Sequence, residues 1–262
     1  MAVSFHVLGA VGVSVGEDFL PLRSAMARGL LACLALRANQ FVSGPQLRAA
    51  LWRTPPASAS SNLRTYVASL RRCLEAADSH LTARLSHVRG RGYRLSGDPP
   101  EFDHLAFRDL ARTGRQQLDA GDVEAAIESL TRALAMWRGP AGEDVPPDSH
   151  VREQLQALNE SRITAEEDLA EARLVRGVDC HLVSDLRMHL TQHPLRERPY
   201  ALLIRALYLS GNPASALEVY GRVRQVLAAR LGTDPGPELQ RVHRAVLQHD
   251  EAALRTPRAA LG

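Results

Sequence analysis

From Leu63 to Leu74 the chain reads Leu-Arg-Thr-Tyr-Val-Ala-Ser-Leu-Arg-Arg-Cys-Leu, and helical spacing sorts these residues by chemistry. At about 100° per residue, Leu63, Val67, Leu70 and Leu74 fall within about 60° of each other, with Tyr66 and Cys73 flanking them. Opposite lie Ser61, Arg64, Thr65, Ala68, Ser69 and Arg72, with no acid among them. A solvated helix face usually mixes signs. Arginine bonds guanine edges and small side chains permit close approach, so such a face suits a DNA major groove. Further on stands Val88-Arg-Gly-Arg-Gly-Tyr-Arg94, where Gly90 and Gly92 supply the backbone of a hairpin turn. Arg89, Arg91 and Arg94 then lie on or beside the tip of a thin loop, and guanidinium groups there suit the more negative minor groove.

Other chemistry finds little support. All 32 basic residues are arginine, so a phosphate-loop lysine, a Schiff-base lysine and a lysine general base are absent. His189 and His193 have a spacing that can place two metal ligands on one helix face. No acid or cysteine is read as standing at a third supporting position, and Pro194 ends the helix, so they read as surface or capping histidines. Cys33, Cys73 and Cys180 form no disulfide or metal framework and read as small packing residues in a reducing compartment. Glu166-Glu167-Asp168 reads as a solvated helix face. With no nucleophile elbow, paired-carboxylate pattern or glycine-rich strand-to-helix turn, no enzyme, no cofactor and no metal is expected.

The elements that must hold these residues follow from charge and periodicity. Residues 1–96 carry 12 arginines against four acids, whereas the remaining 166 carry 20 against 25. A basic third followed by an acidic remainder implies a polyanion-binding module joined to something else. Gly97 and Pro99-Pro100 mark the joint. Ahead of it, Phe5, Val7, Val11, Val13 and Val15 share one parity and predict short antiparallel strands. A helix is expected over roughly 23–38, and a second from Ser43, with Gln46 at capping-box spacing. The loop Arg53–Ser60 cannot be helical through its prolines. Beyond Glu101, helices are expected over 102–120, 122–137, 150–177, 179–193, 197–210, 213–231 and 236–249. Gly177 and Gly211 are 34 residues apart, the tetratricopeptide period, although the 56 residues from Gly121 to Gly177 break it. Stacked helix pairs of this kind usually bind proteins. No run of 18 apolar residues would span a membrane and no secretory signal opens the chain, so a cytoplasmic location is expected.

Three helices followed by Val88-Arg-Gly-Arg-Gly-Tyr-Arg94 resemble the winged helix-turn-helix of OmpR/PhoB-type regulators. Ala50-Leu-Trp52, Pro55-Pro-Ala-Ser58, Tyr66-Val67 and Leu70-Arg-Arg72 fit that pattern. Gly121-Asp-Val-Glu-Ala-Ala126, Ala135-Met-Trp-Arg-Gly-Pro140, His193-Pro-Leu-Arg-Glu197 and Leu231-Gly-Thr-Asp-Pro-Gly-Pro-Glu238 resemble the bacterial transcriptional activator domain. Together, from about residue 4 to 250, they resemble the Streptomyces antibiotic regulatory proteins. The resemblance implies a mainly α protein: a winged helix-turn-helix with a small antiparallel sheet over 1–96, a linker at 97–101, a tetratricopeptide-like array over 102–250 and a flexible tail over 251–262.

It also implies an actinobacterial transcriptional activator. Ser61, Arg64, Thr65 and Ser69 would reach bases in the major groove, Arg71 and Arg72 the phosphates, and Arg89 and Arg91 of the wing the minor groove. Ser69 stands where relatives often carry a longer polar side chain, so base preference can differ. Arg53, Thr54 and Ser58 occupy the place where such proteins meet RNA polymerase. The expected partners are double-stranded DNA at promoter direct repeats near the −35 element, RNA polymerase with its sigma factor, and a second copy as a homodimer or tandem dimer. The target would be a secondary-metabolite cluster, and control would come from the level of synthesis. A protein-interaction scaffold built on the helical array, or a repressor using the same DNA contacts, remains open at this point.

Overall fold

The structure, a computed structural model, describes residues 3–256. Strands β1 (Val3–His6), β2 (Gly12–Val15) and β3 (Asp18–Pro21) form an antiparallel sheet in that order. Phe5 pairs with Val13 and Val13 with Leu20, so the alternating residues share one face, where Phe5 and Val13 are fully buried. Helices α1 (Ala25–Ala35), α2 (Gly44–Leu51) and α3 (Ala59–Ala77) follow. At the start of α2 the Ser43 N–H donates to Gln46 Oε1 at 2.9 Å and the Gln46 N–H to Ser43 Oγ at 3.4 Å, the capping box that the spacing predicts. Leu63, Val67, Leu70 and Leu74 of α3 are buried, as their stripe requires. Strands β4 (Leu85–Val88) and β5 (Gly92–Leu95) then pair as the wing.

Residues 97–101, expected as a linker, form a single 3-10 turn over Pro99–Glu101. They are tied down, because Asn39 exchanges two hydrogen bonds with the Gly97 backbone and Arg84 pairs with Glu101 at 2.9 Å. Seven helices follow at the predicted places: α4 (Asp103–Asp119), α5 (Val123–Ala135), α6 (Val151–Arg176), α7 (Leu182–Gln192), α8 (Glu197–Leu209), α9 (Pro213–Leu231) and α10 (Pro237–Leu247). Glu251–Arg255, within the expected flexible tail, form a short helix, α11, with Leu254 buried. The rest of that tail, 257–262, lies outside the described residues. Among the described residues no helix is long and apolar enough to cross a membrane.

The chain divides into two compact units. The first takes Met1–Ala111 and Arg132–Ile163, the second Arg112–Thr131 and Thr164–Gly262. Phe5 stacks on Phe102 at 5.0 Å inside the first unit. Beside this stack the Asp103 carboxylate accepts from the backbone N–H groups of Val7 (2.9 and 3.0 Å) and Leu8 (3.1 Å), and from Arg138 Nη2 (2.9 Å). Arg138 Nη1 lies 2.7 Å from His6 Nδ1. A guanidinium only donates, so Nδ1 accepts, and the His6 proton sits on Nε2, which donates to Ser14 Oγ at 2.7 Å. Asp144 joins the same sheet to α1: it accepts from the Val11 N–H at 2.9 Å and pairs with Arg28 at 3.0 Å. The Trp137-Arg-Gly-Pro140 motif and its neighbours thus complete the core on which β1 and α1 rest.

In the second unit α8 is the central helix, buried continuously from Pro199 to Leu207, as expected of a helix apolar on every side. The turns at Gly121, Gly177 and Gly211 have φ of 82°, 140° and 79°, conformations that only glycine adopts at low cost. The acids of α6 depart from expectation. Glu167 and Asp168 do not face solvent: they are 2% and 6% exposed, and Glu171 is 1% exposed. Arg198 Nη2 donates to Asp168 and to Glu171 at 2.6 Å each, Arg196 holds Glu167, and Arg115 reaches Asp168 at 3.0 Å. The polar stripe of α6 is covered by arginines distant in sequence. Arg205, alone in the apolar run of α8, was the signal, since a buried guanidinium requires an acid opposite it.

His189 is likewise no surface histidine. Its Nδ1 lies 3.4 Å from Glu166 and its Nε2 3.7 Å from Glu167, acids that sequence neighbours could not reveal. Burial pushes its imidazolium down, but the two glutamates outweigh burial and raise it to about 9. His193 caps the C-terminus of α7. Among the described residues no three His, Cys, Asp or Glu side chains are placed to hold a metal. Cys33 is buried and Cys73 half-buried, whereas Cys180 is exposed and so is not a packing residue.

Candidate nucleic-acid interface

Burial of the apolar stripe of α3 leaves Ser61, Arg64, Thr65, Ala68, Arg71 and Arg72 exposed. Ser69 is half-buried. With Arg72 it lines a groove of about 590 Å³ whose other side is Leu20, Leu22, Arg23 and Ser24, so it borders the outward face and does not stand in its middle. The Ser61 hydroxyl donates to the Ser58 carbonyl at 2.8 Å and the Thr65 hydroxyl to the Ser61 carbonyl at 3.2 Å. With their protons turned back onto the helix, both hydroxyls offer acceptor lone pairs outward. Glu75, one of the four acids of residues 1–96, is exposed one turn beyond Arg71 on the same side and bounds the basic face. Arg53, Thr54 and Ser58 of the α2–α3 loop are all exposed. The loop is anchored where Trp52 packs on Tyr66, with ring centroids 6.1 Å apart.

The wing is seated against the residues that lead into α2. Val42 and Tyr93 exchange backbone hydrogen bonds of 2.8 and 3.0 Å. The tip is a tight turn in which the Arg91 N–H donates to the Val88 carbonyl at 3.0 Å, with Gly90 at φ 80°. Arg89 is exposed at that tip. Arg91, also exposed, and the half-buried Arg94 carry their guanidinium carbons 4.5 and 4.8 Å from the centroid of the Phe41 ring.

The two glycines of the turn are not equivalent. A Cβ on Gly92 would stand 2.1 Å from the Val42 carbonyl oxygen, at φ 106°, whereas one on Gly90 meets nothing within 4 Å. Gly92→Ala is therefore expected to unseat the wing, at a cost of about 2–4 kcal/mol from clash and backbone strain together. Gly90→Ala should cost only about 1 kcal/mol. Thermal denaturation of the two variants checks this, and equal losses would refute the close approach.

A helix whose basic face is open to solvent, set on a three-helix core and followed by an arginine-tipped hairpin, defines a winged helix-turn-helix protein. The comparisons agree. Residues 22–95 match the family described as transcriptional regulatory protein, C terminal, and residues 102–247 the bacterial transcriptional activator domain. The chain is 35% identical to the transcriptional regulator RedD of Streptomyces coelicolor, covering 98% of this chain and 73% of that protein. It is 34% identical to the regulatory protein DnrI of Streptomyces peucetius, covering 85% and 84%. Against the regulatory protein AfsR of Streptomyces griseus it is 34% identical but spans only a quarter of that protein's length. The solved structure of Mycobacterium tuberculosis EmbR, in complex with a low-affinity phosphopeptide, superposes with a TM-score of 0.90 at 31% identity, covering 99% of this chain and 69% of that one. The chain belongs to the family of Streptomyces antibiotic regulatory proteins, which are transcriptional regulators.

Proposed function

We propose that the chain is a sequence-specific transcriptional activator, acting in the cytoplasm, that reads direct repeats near a promoter −35 element and recruits RNA polymerase to a secondary-metabolite gene cluster. The observation that carries this reading is the outward face of α3, with Arg64, Arg71 and Arg72 exposed and the nearest acid, Glu75, at its far end. In this reading Ser61, Arg64, Thr65 and, from the edge, Ser69 face base edges, with the two hydroxyls accepting from the amino groups of adenine or cytosine. Arg71 and Arg72 neutralise phosphates, and the wing with Arg89 and Arg91 lies along the adjacent minor groove. Residues 1–96 read DNA, while the exposed loop with Arg53, Thr54 and Ser58, together with residues 102–250, serves polymerase and its sigma factor and a second copy bound in tandem.

The test is selection of genomic fragments on the purified protein, followed by footprinting. Protected half-sites should recur every 10–11 bp or so, one helical turn apart. Arg64→Ala should lose about 10- to 100-fold in affinity and relax the sequence preference. Arg71→Ala should weaken all sequences alike and lower the salt slope by about 1. Uniform recovery of fragments, with both variants behaving alike, would leave a charge binder without base readout and overturn the proposal. A site downstream of the transcription start would make the same contacts a repressor's.

A further inference from the structure

We propose that Phe41 is a positioning residue for the DNA-binding wing: its ring holds Arg91 and Arg94 in place, so that Arg89 alone enters the minor groove and Arg91 meets a phosphate at its rim. The inference rests on the DNA-reading role above and assigns different tasks to the arginines of the wing. Three observations carry it. Arg91 and Arg94 both lie over the same ring, at 4.5 and 4.8 Å from its centroid, within cation–π range. Arg94 Nε is buried without a hydrogen-bond partner, so the ring is what that guanidinium has gained in place of an acceptor. The backbone that carries the ring is anchored, because the next residue, Val42, is buried and bonded both ways to Tyr93 of β5.

The consequence is electrostatic and entropic. A long arginine normally loses rotamer freedom when it docks. Arg91, already held, loses little and presents its charge at a set place beside the wing. Arg89, at the exposed tip, keeps the reach to insert. Each of the two guanidinium groups meets the negative face of the ring before any phosphate arrives.

The full chain with Phe41→Leu keeps an apolar side chain of similar size and removes the ring, whereas Phe41→Tyr keeps the ring. In the free protein, NMR of the arginine side chains should show ring-current shifts at Arg91 and Arg94 that vanish in Phe41→Leu and persist in Phe41→Tyr. On the selected DNA site, Phe41→Leu should bind about 3- to 10-fold more weakly, with the salt slope unchanged because no charge is lost. Phe41→Tyr should restore wild-type affinity. Replacing A·T by G·C pairs under the wing separates the arginines. Arg89→Ala should abolish the preference for A·T, whereas Arg91→Ala should keep it and lower the salt slope by about 1. Absence of the ring-current shifts, wild-type binding by Phe41→Leu, or loss of the A·T preference in Arg91→Ala would each overturn the inference. Absence of any A·T preference in the wild type would likewise overturn it, whereas ring-current shifts as expected with uniform recovery of genomic fragments would overturn the DNA-reading role instead.

Discussion

Asp103→Ala is expected to destabilise the first unit by about 3–5 kcal/mol, enough to remove most of the stability of a domain this size. Asp103 is only 5% exposed. Alanine would leave the N–H groups of Val7 and Leu8 without acceptors, and Arg138 would lose its carboxylate beside a histidine that must accept from it. Each stranded buried donor costs about 1–3 kcal/mol, more where charge is involved. Asp103→Asn should be only partly tolerated, since its amide keeps one acceptor and turns a donor toward groups that are all donors. Urea unfolding followed by probes in each unit is the measurement, because two compact units need not melt as one. A loss below about 1 kcal/mol for the alanine variant would mean that water replaces the carboxylate and that the clamp is dispensable.

The second large effect is expected at Arg198. Arg198→Met retains much of the side-chain volume but leaves Asp168 and Glu171 without their shortest partner, and the expected cost is again about 3–5 kcal/mol, confined to the second unit. Arg198→Lys should recover part of it, since one ammonium cannot reproduce a fork that serves two carboxylates. The neighbouring His189–Glu167 pair adds a pH signature. For Glu167, burial pushes upward, but the His189 imidazolium 3.7 Å away and the hydrogen bonds from Arg196 outweigh it and hold the carboxyl below its ordinary 4.5. Its contribution is therefore full above pH 4.5 and fades on acidification through the depressed value. His189, raised from 6.5 to about 9, contributes fully below pH 6.5 and progressively less as pH rises through 9. The second unit should be most stable between about pH 4.5 and 6.5, and His189→Gln should flatten the alkaline side and, by removing one of the groups that depress Glu167, weaken the acid side as well. An alkaline slope unchanged in that variant would remove His189 from the account.

What the sequence made legible was local. The capping box at Ser43, the apolar stripe of α3, the glycine turns and the seven later helices follow from spacings within one or two turns, and the structure places them accordingly. What it concealed depends on partners distant along the chain. Glu167 and Asp168 look solvated until Arg196 and Arg198 are brought over them, and His189 seems to lack acids until α6 passes beside it. On α3 the exposed arginines were legible, whereas the half-burial of Ser69 depends on the segment just before α1. The ring beneath Arg91 and Arg94 belongs to the segment before α2 that bridges to β5, far from them in sequence, and no periodicity points to it.

The way Asp103, Arg138 and Asp144 grip β1 and α1 bears on how such regulators can be recombined. Their two sequence families meet at residues 95–102 and invite a cut there, with one protein's reader spliced to another's effector. That splice would take a sheet away from the carboxylates that saturate its edge and set it beside a foreign Trp-Arg-Gly-Pro loop. A transplant that respects the fold carries 132–163 along with the reader, so the interchangeable part is discontinuous in the gene although continuous in space.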